Sequence, residues 1–376
     1  MRVEQLKWSA ESGWGTCVPP LHPQLVLVFG EGLATQHAQI AQLGELFPSA
    51  YVTGCSTAGE IFNTTVLQDG LIATAIEFEH TTIRGAETTL TSLEDSFRAG
   101  QALGQELAQE GLTHVLVFSE GLMVNGSELV KGLHSSLPEG VIVTGGLSGD
   151  GDRFRETVVI PQSLQPSKHI VSCVGFYGSH LQVGYGSYGG WSPFGTERMI
   201  TRAQGNVLYE LDGKSALDVY KRYLGDLAVD LPASGLHFPL RIHTDKDPEG
   251  LVRTILSVCE EEGSLTFAGD IPVGGYARLM SANLNRLVDG AGEAAKQCQI
   301  SSEGSPQFAL LISCVGRKMV LKQQVEEEVE AVAQVLGEQT TLAGFYSYGE
   351  ISPHHESGFC HLHNQTMTIT TFSESG

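Results

Sequence analysis

The chain has 376 residues, 41% hydrophobic and 17% charged, with 45 glycines; this profile suits a folded protein of two or three domains with many tight turns and excludes a disordered one. Its 43 acidic residues against 22 basic ones give a formal net charge of −21, which disfavours nucleic acid and anionic lipid as partners. Seven scattered cysteines without a C-x-x-C pair read as free thiols, and a start (Met1 to Trp8) without an apolar segment, together with apolar runs too short to span a bilayer, gives a cytoplasmic protein with no membrane insertion as the expectation.

In chain order, the first predicted unit is a strand at 25–29, a helix at 35–46 and a strand at 50–53, followed by an alternating strand at 71–79 and a helix at 93–110. A near copy follows. Val26-Leu27-Val28-Phe29-Gly30-Glu31-Gly32-Leu33 returns as Val115-Leu116-Val117-Phe118-Ser119-Glu120-Gly121-Leu122, and Val52-Thr53-Gly54 returns as Val143-Thr144-Gly145. The helix of this second unit is expected at 127–136, its second strand at 141–144 and an edge strand at 155–160. A repeated supersecondary unit of this kind governs the reading of the whole fold.

The polar stretch 161–168, with two prolines, is a candidate domain boundary. Strands are predicted at 169–177 and 180–185, then a glycine and aromatic loop, Gly184 to Pro193, then strands at 198–203 and 207–211. Ser215 is placed to cap a helix, with Asp218 three residues on. After an irregular stretch at 230–248 come strands at 252–258, 265–267 and 276–280 and a helix at 283–297. A third unit closes the chain: a strand at 309–314, a helix at 322–336 and Gly344-Phe345-Tyr346-Ser347-Tyr348-Gly349-Glu350-Ile351, which matches Gly54-Cys55-Ser56-Thr57-Ala58-Gly59-Glu60-Ile61 as G-x-x-x-x-G-E-I, then a last strand at 366–372. Consecutive strands in the middle favour an α+β fold: two related domains of mixed, largely antiparallel sheets with flanking helices, built from repeated β-α-β-Gly units.

Several motifs fail their chemistry. Gly184-x-Gly186-x-x-Gly189 has the letters of a dinucleotide fingerprint, but Gly190, Trp191 and Pro193 follow where a helix must start. It is either a plain turn or a ligand-facing loop whose Tyr185, Tyr188 and Trp191 offer aromatic faces. Gly213-Lys214-Ser215 lacks the earlier glycine of a phosphate-binding loop, because Leu208 stands there. Gly54-Cys55-Ser56-Thr57-Ala58 approaches a nucleophile elbow without the helix that should follow, so a Ser or Cys hydrolase using Ser56 or Cys55 is the enzymatic alternative to a binding protein. His354, His355, His361 and His363 crowd around Cys360, without structural-zinc spacing; surface-loop histidines are the ordinary explanation. Arg198 and Arg202 share one face beside the aromatic loop, placed to hold a carboxylate or to be absorbed in salt bridges.

Thr201 to Lys214 and Ala216 to Tyr220, with Gly349-Glu350-Ile351-Ser352-Pro353 and His363-Asn364-Gln365-Thr366, resemble the FIST C region. Thr53 to Ile61 and Thr144 to Gly151 resemble the FIST N region. The resemblance runs from about residue 25 to 372. It implies a non-enzymatic sensory module for small ligands such as amino acids, working with a histidine kinase, a cyclic di-GMP enzyme or a chemoreceptor. One bacterial branch it resembles binds haem b and senses nitric oxide. Under this reading the chain divides into an extension at 1–24, FIST N at 25–165 and FIST C at 166–376. Tyr188, Trp191, Arg198, Arg202, Tyr346, Tyr348 and Glu350 would surround the ligand, and His243, His354 and His355 are the haem-iron candidates.

Overall fold

A computed structural model describes residues 1–15, 21–298, 305–353 and 359–375. The fold is α+β, and its plan is three sheets of one design plus an inserted lobe. In the first sheet the strand order is Arg2–Lys7, Leu71–Glu77, Leu25–Gly30, Tyr51–Cys55, Val159–Ile160. The second runs Thr82–Thr89, Ile170–Tyr177, Leu112–Ser119, Ile142–Leu147, Gly349–Pro353, Cys360–His363. The third runs Leu181–Tyr188, Met367–Glu374, Phe308–Cys314, Thr341–Ser347, Glu60–Phe62, Thr65–Leu67. In each, the third and fourth strands are parallel, as a β-α-β unit requires, and the other pairings are antiparallel.

The fifth strand of every sheet comes from another unit. Glu60–Phe62 of the first unit joins the third sheet, Val159–Ile160 of the second joins the first, and Gly349–Pro353 of the third joins the second. The exchange closes a cycle, so each unit completes its neighbour. The glycine that ends Val52-Thr53-Gly54 and Val143-Thr144-Gly145, and its counterpart Gly344, is what lets the parallel pair approach. A Cβ at Gly54, Gly145 or Gly344 would lie 1.9, 2.0 or 1.8 Å from the carbonyl oxygen of Val28, Val117 or Leu311 on the strand beside it. No side chain fits there.

The central strands read as continuous apolar runs because both faces are covered; every residue of Leu25–Gly30 and Phe308–Cys314 is buried. Phe29, Phe118 and Phe345, one from each sheet, meet with ring centroids 4.8–6.2 Å apart. Each such pair adds about 0.5–1.5 kcal/mol beyond its area burial. Amphipathic helices cover the outer faces: Ser96–Leu107 packs on Gly126–His134, and Leu284–Cys298 on Val325–Leu336.

The predicted glycine and aromatic loop is instead mostly strand. Leu181–Tyr188 pairs with Met367–Glu374 along its whole length. Its Gly184 and Gly186 let helix Leu284–Cys298 lie on the backbone, since a Cβ there would meet the Cys298 and Ala294 carbonyl oxygens at 2.4 and 2.0 Å. The expected edge strand at 155–160 shrinks to Val159–Ile160, and Thr82–Thr89 is a strand the sequence reading did not include.

Residues 192–281 form the inserted lobe. Its antiparallel sheet runs Asp247–Arg253, Leu240–Thr244, Tyr276–Ser281, Ser192–Gln204, Val207–Leu211, Ser264–Phe267, Ile255–Cys259, around its own apolar core and helix Ala216–Leu224. Ser215 caps that helix as expected, its Oγ accepting the Asp218 N–H at 3.1 Å. The boundary expected at 165/166 passes between Val159–Ile160 of the first sheet and Ile170–Tyr177 of the second, and the extension at 1–24 contributes edge strand Arg2–Lys7. No helix among the described residues is long and apolar enough to cross a membrane.

Candidate functional site

The residues singled out in the sequence occupy separate places. Trp191 is buried against Met280, Leu287, Val320 and Leu321, and its indole N–H donates to the Gln365 carbonyl at 2.8 Å. Tyr188 is exposed at its strand end. Arg198 pairs with Asp212 at 2.9 Å and donates to the Tyr223 hydroxyl; Arg202 pairs with Glu210 at 3.0 Å and lies over the Tyr209 ring. Both arginines are held in local ion pairs, although the Arg198 Nε is buried without a partner. Tyr346 is fully buried, its hydroxyl donating to Glu328 at 2.7 Å. His243 is bonded to Glu197 at 2.6 Å and stacked on Tyr276. His354 and His355 lie outside the described residues.

Glu350 is a buried junction group. Its carboxyl accepts the Ser347 hydroxyl at 2.6 Å and the Thr366 hydroxyl at 2.9 Å, and burial pushes its pKa up to about 8 against those hydrogen bonds. The symmetry-related Glu60 repeats the arrangement with the Thr57 hydroxyl at 2.6 Å, the Glu31 N–H at 2.7 Å and the Gly70 N–H at 3.0 Å, and burial raises it to about 7. Ser56 and Cys55 are both buried; Ser56 Oγ accepts the Val158 N–H at 2.9 Å, and burial raises the Cys55 thiol.

Tyr348 alone of the expected residues borders an apolar cavity, of about 470 Å³, at the seam between the inserted lobe and the three-sheet body. The body supplies Leu122, Phe154, Val315, Met319 and Tyr348; the lobe supplies Leu236, Thr254, Ile255 and Leu256. The cavity opens where strands Leu112–Ser119 and Phe308–Cys314 end, the usual place for loops that take ligands. Tyr348 is held firmly: its hydroxyl bonds to the Asp150 carboxylate and accepts the Asp150 and Phe154 N–H groups at 3.2 Å. The Phe154 ring stacks on it at 4.3 Å and 11°, although Phe154 is 42% exposed and sits at φ 51, a costly backbone conformation for an aromatic residue. Thr254 Oγ1 is buried in this lining without a hydrogen-bond partner, a polar handle in an apolar wall.

The cavity adjoins a charged mouth of about 540 Å³; Asp152, Val315 and Met319 border both. Glu31, Lys318 and Lys322 line this second space. Lys318 Nζ donates to the Ala58 carbonyl at 2.5 Å, and partial burial lowers its pKa against the pull of Glu31, Glu60 and Asp152. The composite site therefore offers an apolar chamber, one unpartnered hydroxyl, and an acid and an amine at the entrance. Of these groups the sequence reading named only Tyr348. Asp152 directly follows the repeated glycine turn that ends at Gly151 and could have been flagged there, whereas nothing local marks Thr254 or Lys318.

Haem fits these residues poorly. No histidine borders the apolar cavity among the described residues; its one thiol, Cys314, is raised by burial and so disfavoured as a thiolate ligand. His134 and His361 border a different cleft, shared with Lys131, Lys246, Asp247 and Glu249, a charged lining unsuited to a macrocycle face. No cluster of metal-ligating side chains occurs among the described residues.

A comparison with curated proteins finds no match. Among solved structures, the chain is similar to cyanuric acid hydrolase from A. caulinodans (8% identity, 99% of this chain and 98% of that one, TM-score 0.35). A second cyanuric acid hydrolase structure gives 10% identity, 99% of both chains and a TM-score of 0.34. The FIST N domain matches residues 24–214 and the FIST C domain residues 216–353. The chain belongs to the FIST family, whose domains are sensory domains for small ligands in signalling proteins.

Proposed function

We propose that this protein is a non-enzymatic sensor whose seam cavity takes a small ligand with an apolar body and a zwitterionic head, an apolar amino acid being the simplest example. The observation that carries this reading is the cavity's composition: apolar walls leading to Asp152 and Lys318 at the mouth. The ammonium would face Asp152, the carboxylate Lys318, and the side chain the chamber beside Phe154 and Ile255. Because lobe and body each supply walls, occupancy would bias their packing and so alter a separate signalling partner, a histidine kinase, a cyclic di-GMP enzyme or a chemoreceptor. The engagement of Ser56 and the burial of Cys55 support binding over hydrolysis.

A thermal-shift screen of the standard amino acids tests the reading. Apolar members are expected to raise Tm and charged ones to leave it unchanged; a flat response to all of them overturns it. Haem with nitric oxide is the competing ligand, and a visible spectrum separates the two. A stoichiometric Soret band on haem titration would replace the amino acid by haem.

A further inference from the structure

Two arginines are buried in this protein and they are compensated differently. Arg317 is fully enclosed and meets Glu328 at 2.7 and 3.0 Å and the carbonyls of Gly189 and Leu287 at 2.5 and 2.7 Å. Arg253 is 6% exposed and makes one hydrogen bond, from Nη1 to the Leu362 carbonyl at 2.6 Å; its Nε is buried without a partner. No described carboxylate pairs with it. The nearby Asp270 is engaged by Lys131 at 3.1 Å and by the Asn125 amide at 3.3 Å. Burial pushes the Arg253 guanidinium down to about 10, with Asp270 opposing. In a chain with twice as many acids as bases, a buried cation left without an acid calls for an explanation.

Arg253 borders a cleft of about 640 Å³ between helix Gly126–His134, strand Asp247–Arg253 and strand Cys360–His363. It lies against bare backbone, since a Cβ at Gly269 would come within 2.8 Å of its Cζ. We propose that this cleft is a second ligand site, separate from the apolar cavity, in which Arg253 receives the carboxylate or phosphate group of a small molecule. A planar guanidinium bonded to a carbonyl and to no carboxylate matches an oxyanion, and the missing counter-charge is what such a ligand brings. Lys131 and Lys246 alternate with Asp247, Glu249 and Asp270 around the rim. That balance admits one anionic group and repels polyanions such as nucleotides.

The test uses the full chain with inorganic phosphate and with acetate, each against chloride at matched ionic strength. One or both anions are expected to raise the wild-type Tm, and which one does so identifies the group recognised. Arg253→Met should abolish the response and weaken binding in calorimetry by roughly thirtyfold or more. Without ligand it should melt no lower than wild type, because an uncompensated charge has been removed. Gly269→Ala, which keeps the charge but displaces the guanidinium, should lose the response as well. The proposal falls if neither anion shifts the wild type, if Arg253→Met or Gly269→Ala responds as the wild type does, or if Arg253→Met alone fails to fold.

Discussion

Glu60 and Glu350 tie stability to pH, and the effect can be worked from their surroundings. Burial raises Glu60 from an ordinary value of 4.5 to about 7 and Glu350 from 4.5 to about 8. Each folded-state pKa lies above the unfolded one, so the native state holds the proton more tightly. The stabilisation is complete below about pH 4.5 and is lost as pH rises through about 7 and 8. At roughly 1.4 kcal/mol for each tenfold gain in proton affinity, full ionisation removes about 3 kcal/mol at Glu60 and about 5 kcal/mol at Glu350. These two carboxyls by themselves should therefore lower the Tm by on the order of 10 °C between pH 5.5 and 8.5. Glu350→Gln copies the protonated shape: its carbonyl can still accept from Thr366, and its amide nitrogen, in the other oxygen's place, can donate to the Ser347 hydroxyl. Differential scanning fluorimetry across this range should find the variant close to wild type at pH 5.5 and clearly more stable at pH 8.5. Every other ionisable group is common to both proteins and cancels in the comparison. A variant that keeps the wild-type slope, or that is no more stable than wild type at pH 8.5, would refute the reasoning.

Gly145→Ala should destabilise by more than about 3 kcal/mol, because its methyl would stand 2.0 Å from the Val117 carbonyl oxygen and the parallel strands would have to part. Gly140→Ala, with open space around it and only a positive φ to violate, should cost about 1 kcal/mol, and urea midpoints separate the two. Arg317→Leu strands the buried Glu328 carboxylate and should cost about 3–5 kcal/mol at neutral pH; a near-neutral result would show that the pair is dispensable. Tyr348→Phe removes the bonds to Asp150 and Phe154, so a loss of about 1–3 kcal/mol in denaturant melts is expected, with weaker binding of any ligand that stabilises the wild type.

The units were legible because their signal is local and repeated: Val-Thr-Gly in the first and second units and G-x-x-x-x-G-E-I in the first and third mark strand ends that play the same part in their sheets. The cyclic exchange was not. Glu60–Phe62 and Val159–Ile160 are too short to carry a periodic pattern, and their partners lie in other units. The Gly184 to Pro193 stretch read as a loop because glycine is rare in strand interiors; here it is required by the helix resting on it, a tertiary demand invisible in the local sequence. The cavity was harder still. Leu122, Phe154, Thr254, Val315 and Tyr348 come from five separate segments and meet only after lobe and body dock.

The direct test of a ligand-binding seam is titration calorimetry of the best stabilising amino acid at several temperatures, on wild type and on Ala268→Phe, which places a ring in the chamber wall. Binding with a clearly negative heat-capacity change in the wild type, abolished in a folded Ala268→Phe, is the predicted result. Equal binding by both proteins, or none by the wild type, would contradict it.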